Sequence, residues 1–387
     1  MTVPMAAAEE IVPLLKRNAA RVDEAADFPR ENLAALRGNG LLGLLVPAEY
    51  GGSDGDLSDM VQIARLLAAG CMSTAMIWAM HCQQVDAIVH YGSRELRRQV
   101  LPEIAAGRVY LASVTTEPGK GGHLLTGGAA LGGDSDAMTL ERAAPIVTGG
   151  MDADAFLVTM RESPDAPGHR VSLAYVPRVG LTIETSGGWN PLGMRGTHCI
   201  GMRLHGTVTR GQIIGAPGEF RTVAMESMIP AGHLGWAACW LGTAHGALSD
   251  VLGLLRSPQR PRSFDSRSDL ASERLARARI DVELVDAYLG RVTHEVLDRR
   301  RAGESLGDTA TQIHLNNLKV IASELTFRAV DRLVQIVGLA NGYLRDATLP
   351  LERHFRDLRS ASLNYSNDRL LAVTGALSLL DRAARMP

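Results

Sequence analysis

Aromatic residues are scarce in this 387-residue sequence, at 4%, which argues against the stacked aromatic platforms that grip single-stranded nucleic acid. Neither sign of charge is in excess. Forty basic and 42 acidic residues leave a formal net charge of −2, so there is no electrostatic footprint for nucleic acid or an anionic membrane. Lysine is almost missing: Lys16, Lys120 and Lys319 are the only three, and the other basic residues are arginines, a bias that reads as codon composition rather than chemistry. The four cysteines, Cys71, Cys82, Cys199 and Cys239, form no C-x-x-C and no Cys/His ligand spacing. A disulfide framework or zinc site is therefore not expected, and free thiols in a reducing cytosol are. Long apolar runs are lacking too. The most apolar stretch, 228–248, contains His233 and His245 and suits a packed helix better than a membrane span. Glu9 and Glu10 precede any long apolar run, so no signal peptide is expected. A soluble, cytoplasmic protein without nucleic-acid or membrane partners is the expectation.

What is present is enough for a sizeable core. Apolar residues make up 46% and charged residues 21%, a globular balance, and at roughly 150 residues per domain the length allows two or three domains. The first hundred residues place apolar side chains at three- and four-residue spacings, as in LSDMVQIARLLAAG and ELRRQVLPEIAAG, with Ser58 and Ser93 where helix caps would stand. From Val109 the pattern turns to short Val-, Ile-, Leu- and Thr-rich runs such as VYLASVTT, PIVTGG, AFLVTM and RVSLAYVP, divided by Gly or Pro, which predicts a β barrel or sandwich. After Gly218 long helical periodicity returns, beginning with FRTVAMESMIPAGHLGW, and about four helices suffice for a bundle. The reading is α+β and multidomain: a helical domain over 1–112, a β-barrel domain over 113–217 and a four-helix-bundle domain over 218–387.

No HExxH, Walker A, GxSxG or zinc signature occurs. The glycines at 119, 121, 122, 127 and 128 do not form G-x-G-x-x-G between a strand and a helix, and a plain loop accounts for them equally well. TTEPG at 115–119 offers two hydroxyls and a run of backbone N–H groups before a Pro-Gly turn, suited to gripping the edge of a heteroaromatic cofactor such as a flavin.

Six segments in order, VPAEYGG (46–52), YGSRELRRQVLPEIAAGR (91–108), TTEPG, WNPLGMRGT (189–197), QIVGLANGYL (335–344) and LERHFRD (351–357), resemble the acyl-CoA dehydrogenase family over nearly the whole chain. The resemblance implies an N-terminal helical domain, a β barrel and a C-terminal four-helix bundle, in dimers or tetramers. It implies FAD, gripped by Thr115 and Thr116 and by a second strand in which Ile146 stands where relatives place a stacking Trp and Thr148 keeps the hydroxyl. Gln335 and Gly338 would approach the adenine dinucleotide of a neighbouring subunit. Arg260 or Arg262, beside Phe264, would neutralise the pyrophosphate or serve as loop arginines, and Asn367 joins the cofactor set.

The same resemblance implies an acidic base for α-proton removal, yet Tyr365 occupies the usual glutamate position, and a neutral phenol is a poor base. Glu226, on the helix where other relatives carry the acid, is the candidate base in its place. Gly122 stands where relatives have a small hydroxyl residue, with His123 next to it, and with His233 they are candidate substrate contacts. The residues that anchor coenzyme A in relatives read here as Val223 and Glu226, which turns attention to a carrier-protein thioester or to a substrate that is not a thioester. The leading expectation is an FAD-dependent acyl-thioester dehydrogenase, on coenzyme A or an acyl carrier protein, passing electrons to an acceptor such as an electron-transfer flavoprotein. The alternatives are a flavin-dependent monooxygenase or oxidase on the same fold, and a non-catalytic partner subunit.

Overall fold

The computed structural model describes residues 3–119, 123–133, 136–261, 264–265 and 267–387. The expected Gly122 and Arg262 contacts lie outside the described residues. Five helices open the chain: α1 (Val3–Ala25), α2 (Arg30–Gly38), α3 (Leu57–Gly70), α4 (Met72–Tyr91) and α5 (Arg94–Ala105). Ser93 caps α5 through Leu96 N–H at 3.1 Å. The cap of α3 is Asp56 rather than Ser58, whose own N–H donates to the Asp56 carboxylate at 2.7 Å. A carboxylate two residues further out takes the orphan donors of the first turn. Helix α4 is buried on nearly all sides and forms the central strut between the domains.

Seven strands follow: β1 (Leu111–Val114), β2 (Ala137–Val147), β3 (Ala155–Arg161), β4 (Val171–Pro177), β5 (Thr182–Ser186), β6 (Ile200–Thr209) and β7 (Ile213–Ile214). They form a four-stranded sheet in the order β1-β3-β4-β7 and a three-stranded sheet in the order β2-β6-β5. Only the β1–β3 pairing is parallel within these sheets. Strands β3 and β4 are buried along almost their whole length, whereas β2 alternates over its middle, as a sheet with one wet face must. The expected domain edge at 112 falls inside β1.

The C-terminal part comprises α6 (Phe220–Val223), α7 (Ile229–Arg256), α8 (Asp269–Ala302), α9 (Thr309–Gly338), α10 (Leu351–Arg359) and α11 (Asn367–Ser378). A π turn, Ala224–Met228, interrupts what the periodicity predicts as one helix through α6 and α7. Two of the family-like segments join the domains. Met194 N–H donates to the buried Asp357 carboxylate at 2.5 Å, and Arg356 grips Asp23 of α1 at 2.6 and 3.0 Å. Gly193 must be glycine, since a Cβ there would stand 2.0 Å from the Arg356 carbonyl oxygen. Among the described residues no helix is long and apolar enough to cross a membrane.

Candidate active site

The site grows from two strand ends and two helices. Arg142 of β2, buried in the sheet, pairs with Glu117 at 2.8 Å and donates to the Thr116 carbonyl at 2.9 Å. Thr116 in turn donates its hydroxyl to the Ile146 carbonyl at 2.8 Å. These bonds bring the ends of β1 and β2 together and set Thr115 and Thr116 on the wall of a cavity of about 120 Å³. Facing them are Met80 and Gln83 of α4, Met228 at the end of the π turn, Ile229, His233 and Trp236 of α7, and Tyr365.

His233 is held in one orientation. Its Nδ1 lies 3.0 Å from the Leu315 carbonyl of α9, and because a carbonyl only accepts, Nδ1 must carry the proton. Nε2 is then an unprotonated acceptor, and no hydrogen bond among the described residues occupies it. Burial, reinforced by the nearby Lys319 charge and opposed by the Leu315 bond, pushes the imidazole down to about 4. The ring is neutral at physiological pH, with a basicity near that of a carboxylate. Tyr365 approaches it edge-on and sits at φ 56°, a left-handed conformation that a bulky residue holds only when its surroundings enforce it. Burial raises the Tyr365 phenol above its ordinary value, so it is protonated and can donate.

The structure thus brings Thr115, Thr116, His123, His233 and Tyr365 to one cavity. It does not bring Glu226 there. That carboxylate accepts from Leu306 N–H at 2.8 Å, Gly307 N–H at 3.2 Å and the Ser305 hydroxyl, fastening the turn before α9. The cause is the π turn. In an unbroken α-helix residues 226 and 233, seven apart, would share a face; one extra residue in a turn rotates what precedes it by about 100°. Side chains hold that turn open: Gln83 Nε2 donates to the Met228 carbonyl at 2.5 Å and Arg300 to the Glu226 carbonyl at 3.1 Å. Gly232 makes room for Gln83, since a Cβ there would stand 2.4 Å from Nε2.

The expected cofactor residues are distributed differently. Ile146 is 49% exposed beside Thr116, an apolar surface at the strand end. The Thr148 hydroxyl lies 3.1 Å from Cys199 Sγ. Asn367 is buried, and its amide is engaged by Lys319, Ser323 and Glu324. Gln335 is exposed on α9 and bonds Asp331 at 2.9 Å. Gly338, at φ 73°, ends α9 before a second π turn, Leu339–Tyr343. Arg260 is exposed, and Phe264 packs against the core, both in the α7–α8 connection.

Sequence reasoning missed Gln83, Met80, Trp236 and the Arg142–Glu117 pair. The adjacent polar pair Gln83-Gln84 in a largely apolar stretch was the available signal. Glu117 stood in the quoted TTEPG, but its partner lies on another strand.

Residues 2–108 match the N-terminal domain of acyl-CoA dehydrogenase, and residues 221–364 match the C-terminal domain. The chain belongs to the acyl-CoA dehydrogenase family. It is 25% identical over 372 residues to the mitochondrial isobutyryl-CoA dehydrogenase of Dictyostelium discoideum, covering 93% of this chain and 84% of that protein. In fold it is similar to butyryl-CoA dehydrogenase from Megasphaera elsdenii, at 21% identity, a TM-score of 0.84 and 97% of both chains. It is comparably similar to FMN-bound TdsC, a dibenzothiophene monooxygenase from Paenibacillus sp. A11-2, at 21% identity and a TM-score of 0.83, over 99% of this chain and 98% of that one.

Proposed function

We propose that the protein is an FAD-dependent oxidoreductase that introduces a Cα–Cβ double bond into a short acyl thioester. The observation that carries this reading is His233, with Nδ1 fixed by Leu315 and Nε2 left as a proton acceptor on the cavity. The residues fit a flavin at the strand ends: the Thr115 hydroxyl makes no hydrogen bond within the described chain, and Ile146 offers an apolar face next to it. FAD, when bound, supplies the acceptor for the β hydride. His233 Nε2 takes the α proton and becomes imidazolium, still donating through Nδ1 to Leu315. Tyr365 donates from the opposite wall, and Met80, Met228 and Ile229 exclude water from the chain. The cavity is slightly smaller than the engineered void of about 150 Å³ that holds a benzene, which suits a chain of roughly four to six heavy atoms.

A second reading, an oxygen-using flavin monooxygenase or oxidase, is favoured by one observation. Glu117 is the single carboxylate among the described cavity residues, and it is paired with Arg142. His233, His123, Tyr365 and Ser366 would then position substrate and protons. Electrons from dehydrogenation pass to a separate acceptor such as an electron-transfer flavoprotein, and the acyl group rides on coenzyme A or a carrier protein. Exposed Leu339, Tyr343 and Leu344 after α9 and Leu371, Leu379 and Leu380 near the C-terminus support a dimer or tetramer, and the four buried free cysteines support a reducing, cytoplasmic setting. Thioester-dependent flavin bleaching without oxygen tests the first reading; oxygen-dependent turnover after external reduction tests the second.

A further inference from the structure

A buried lysine in a chain with three lysines calls for an explanation. Lys319 lies on α9, one turn beyond Leu315, and is wholly buried. Its Nζ donates to the Ala361 carbonyl at 2.9 Å and to Asn367 Oδ1 at 2.7 Å, and it sits 5.6 Å from the centre of the Trp240 ring on α7. These two acceptors stand at the two ends of the turn between α10 and α11. Tyr365 lies inside that turn, at φ 56°, facing His233 at 6.4 Å between ring centroids. Asn367 is braced further by Ser323 and Glu324 of α9, each at 3.0 Å.

We propose that Lys319 is a positioning residue for the cavity: its ammonium clasps both ends of the 361–367 turn and so holds Tyr365 opposite His233. An apolar side chain of similar length would fill the same space without desolvating a charge, so packing alone does not account for a lysine here. Its directional donors do account for it, because a left-handed tyrosine is kept only where the surrounding bonds over-determine it. The lysine also acts on His233 through its charge. A cation one turn along α9 from the Leu315 carbonyl opposes imidazolium formation, in the direction found for His233. Other charged or titratable groups near this unit, among the described residues, include Glu324 on α9, Arg369 on α11 and Tyr365 itself. The inference rests on the reading of this cavity as the active site, but its test does not depend on turnover.

The experiment compares the full-length protein with Lys319→Met, Lys319→Arg and Asn367→Ala, by amide hydrogen exchange and by NMR titration of the His233 ring. In the parent protein the Leu363, Asn364 and Asn367 amides are bonded to Ser360 and Ser362 and provide the probes. Lys319→Met is expected to speed exchange at these amides at least tenfold while the centre of α9 stays protected, and to move the His233 midpoint upward. Lys319→Arg is expected to keep the midpoint low, because the charge remains. If Lys319→Met does not fold, Asn367→Ala, which keeps the lysine but removes one end of the clasp, is expected to give the same local acceleration. Parental exchange rates in 361–367 for every folded variant would overturn the proposal, whatever the catalytic activity; so would a His233 midpoint in Lys319→Met no higher than in the parent.

Discussion

The imidazole of His233 and the phenol of Tyr365 meet edge to face, 6.4 Å between ring centroids and 61° between planes. One ring is a neutral acceptor fixed by α9, the other a protonated donor held in a left-handed turn. Among the described lining residues the one carboxylate, Glu117, is paired with Arg142, so under the proposed function these two rings would accept and donate protons.

His233→Gln keeps a polar side chain and removes the basic nitrogen. Single-turnover flavin reduction by a saturated short acyl thioester is expected to slow by about 10²–10⁴-fold, the range for loss of a positioned general base. In the parent protein the rate is expected to fall as pH drops through about 4, where His233 becomes charged, and to be flat above about 5. Reduction by the variant at the parental rate contradicts this assignment.

Glu226→Ala should separate structure from catalysis. The carboxylate fastens the 305–307 turn, and its loss is expected to lower stability by about 1 kcal/mol while thioester-dependent reduction stays within about twofold. Urea unfolding and single-turnover reduction check the two halves. A collapse of the reduction rate would return the base to Glu226.

Much of this arrangement was legible in the sequence. The α, β, α order follows from hydrophobic period, and Thr115, Thr116 and Glu117 of TTEPG meet His123, His233 and Tyr365 in one cavity. What escaped is geometric. A π turn leaves no mark in apolar spacing, so Glu226 read as a candidate base on the helix where relatives carry the acid, whereas the turn sends it to the loop before α9. Helix α4 is buried on nearly all sides, and no amphipathic stripe marks the side on which Met80 and Gln83 line the site. The Lys319–Asn367 bond joins residues 48 apart on different helices, and no local spacing announces it.

Asp357 links stability to pH. Burial, against the opposing Met194 N–H bond, pushes its carboxyl up to about 7 from the ordinary 3.8. The folded state therefore holds a proton that the unfolded chain has released between those values. The associated stability is present in full below about 3.8 and is lost as pH rises through about 7, by an amount on the order of a few kcal/mol. Asp357→Asn keeps an acceptor for Met194 N–H without the charge, and its Tm is expected to exceed the parental Tm by more at pH 8 than at pH 5. An equal difference at both values would contradict the linkage.

Ile146 offers a half-exposed apolar face beside Thr116. Ile146→Trp is expected to add aromatic stacking of about 0.5–1.5 kcal/mol and to lower the Kd for FAD roughly two- to tenfold, measured by flavin fluorescence quenching. Weaker binding would place the ring elsewhere.

The most direct test is to mix the flavin-loaded protein anaerobically with saturated acyl-CoA and acyl-carrier thioesters of four to six heavy atoms and record the flavin absorbance. The account predicts bleaching that is fastest for these short chains and at least 100-fold slower in His233→Gln. An unchanged spectrum with every saturated thioester, together with oxygen consumption once the flavin is reduced externally, would contradict dehydrogenation and establish the oxygen-using chemistry in its place.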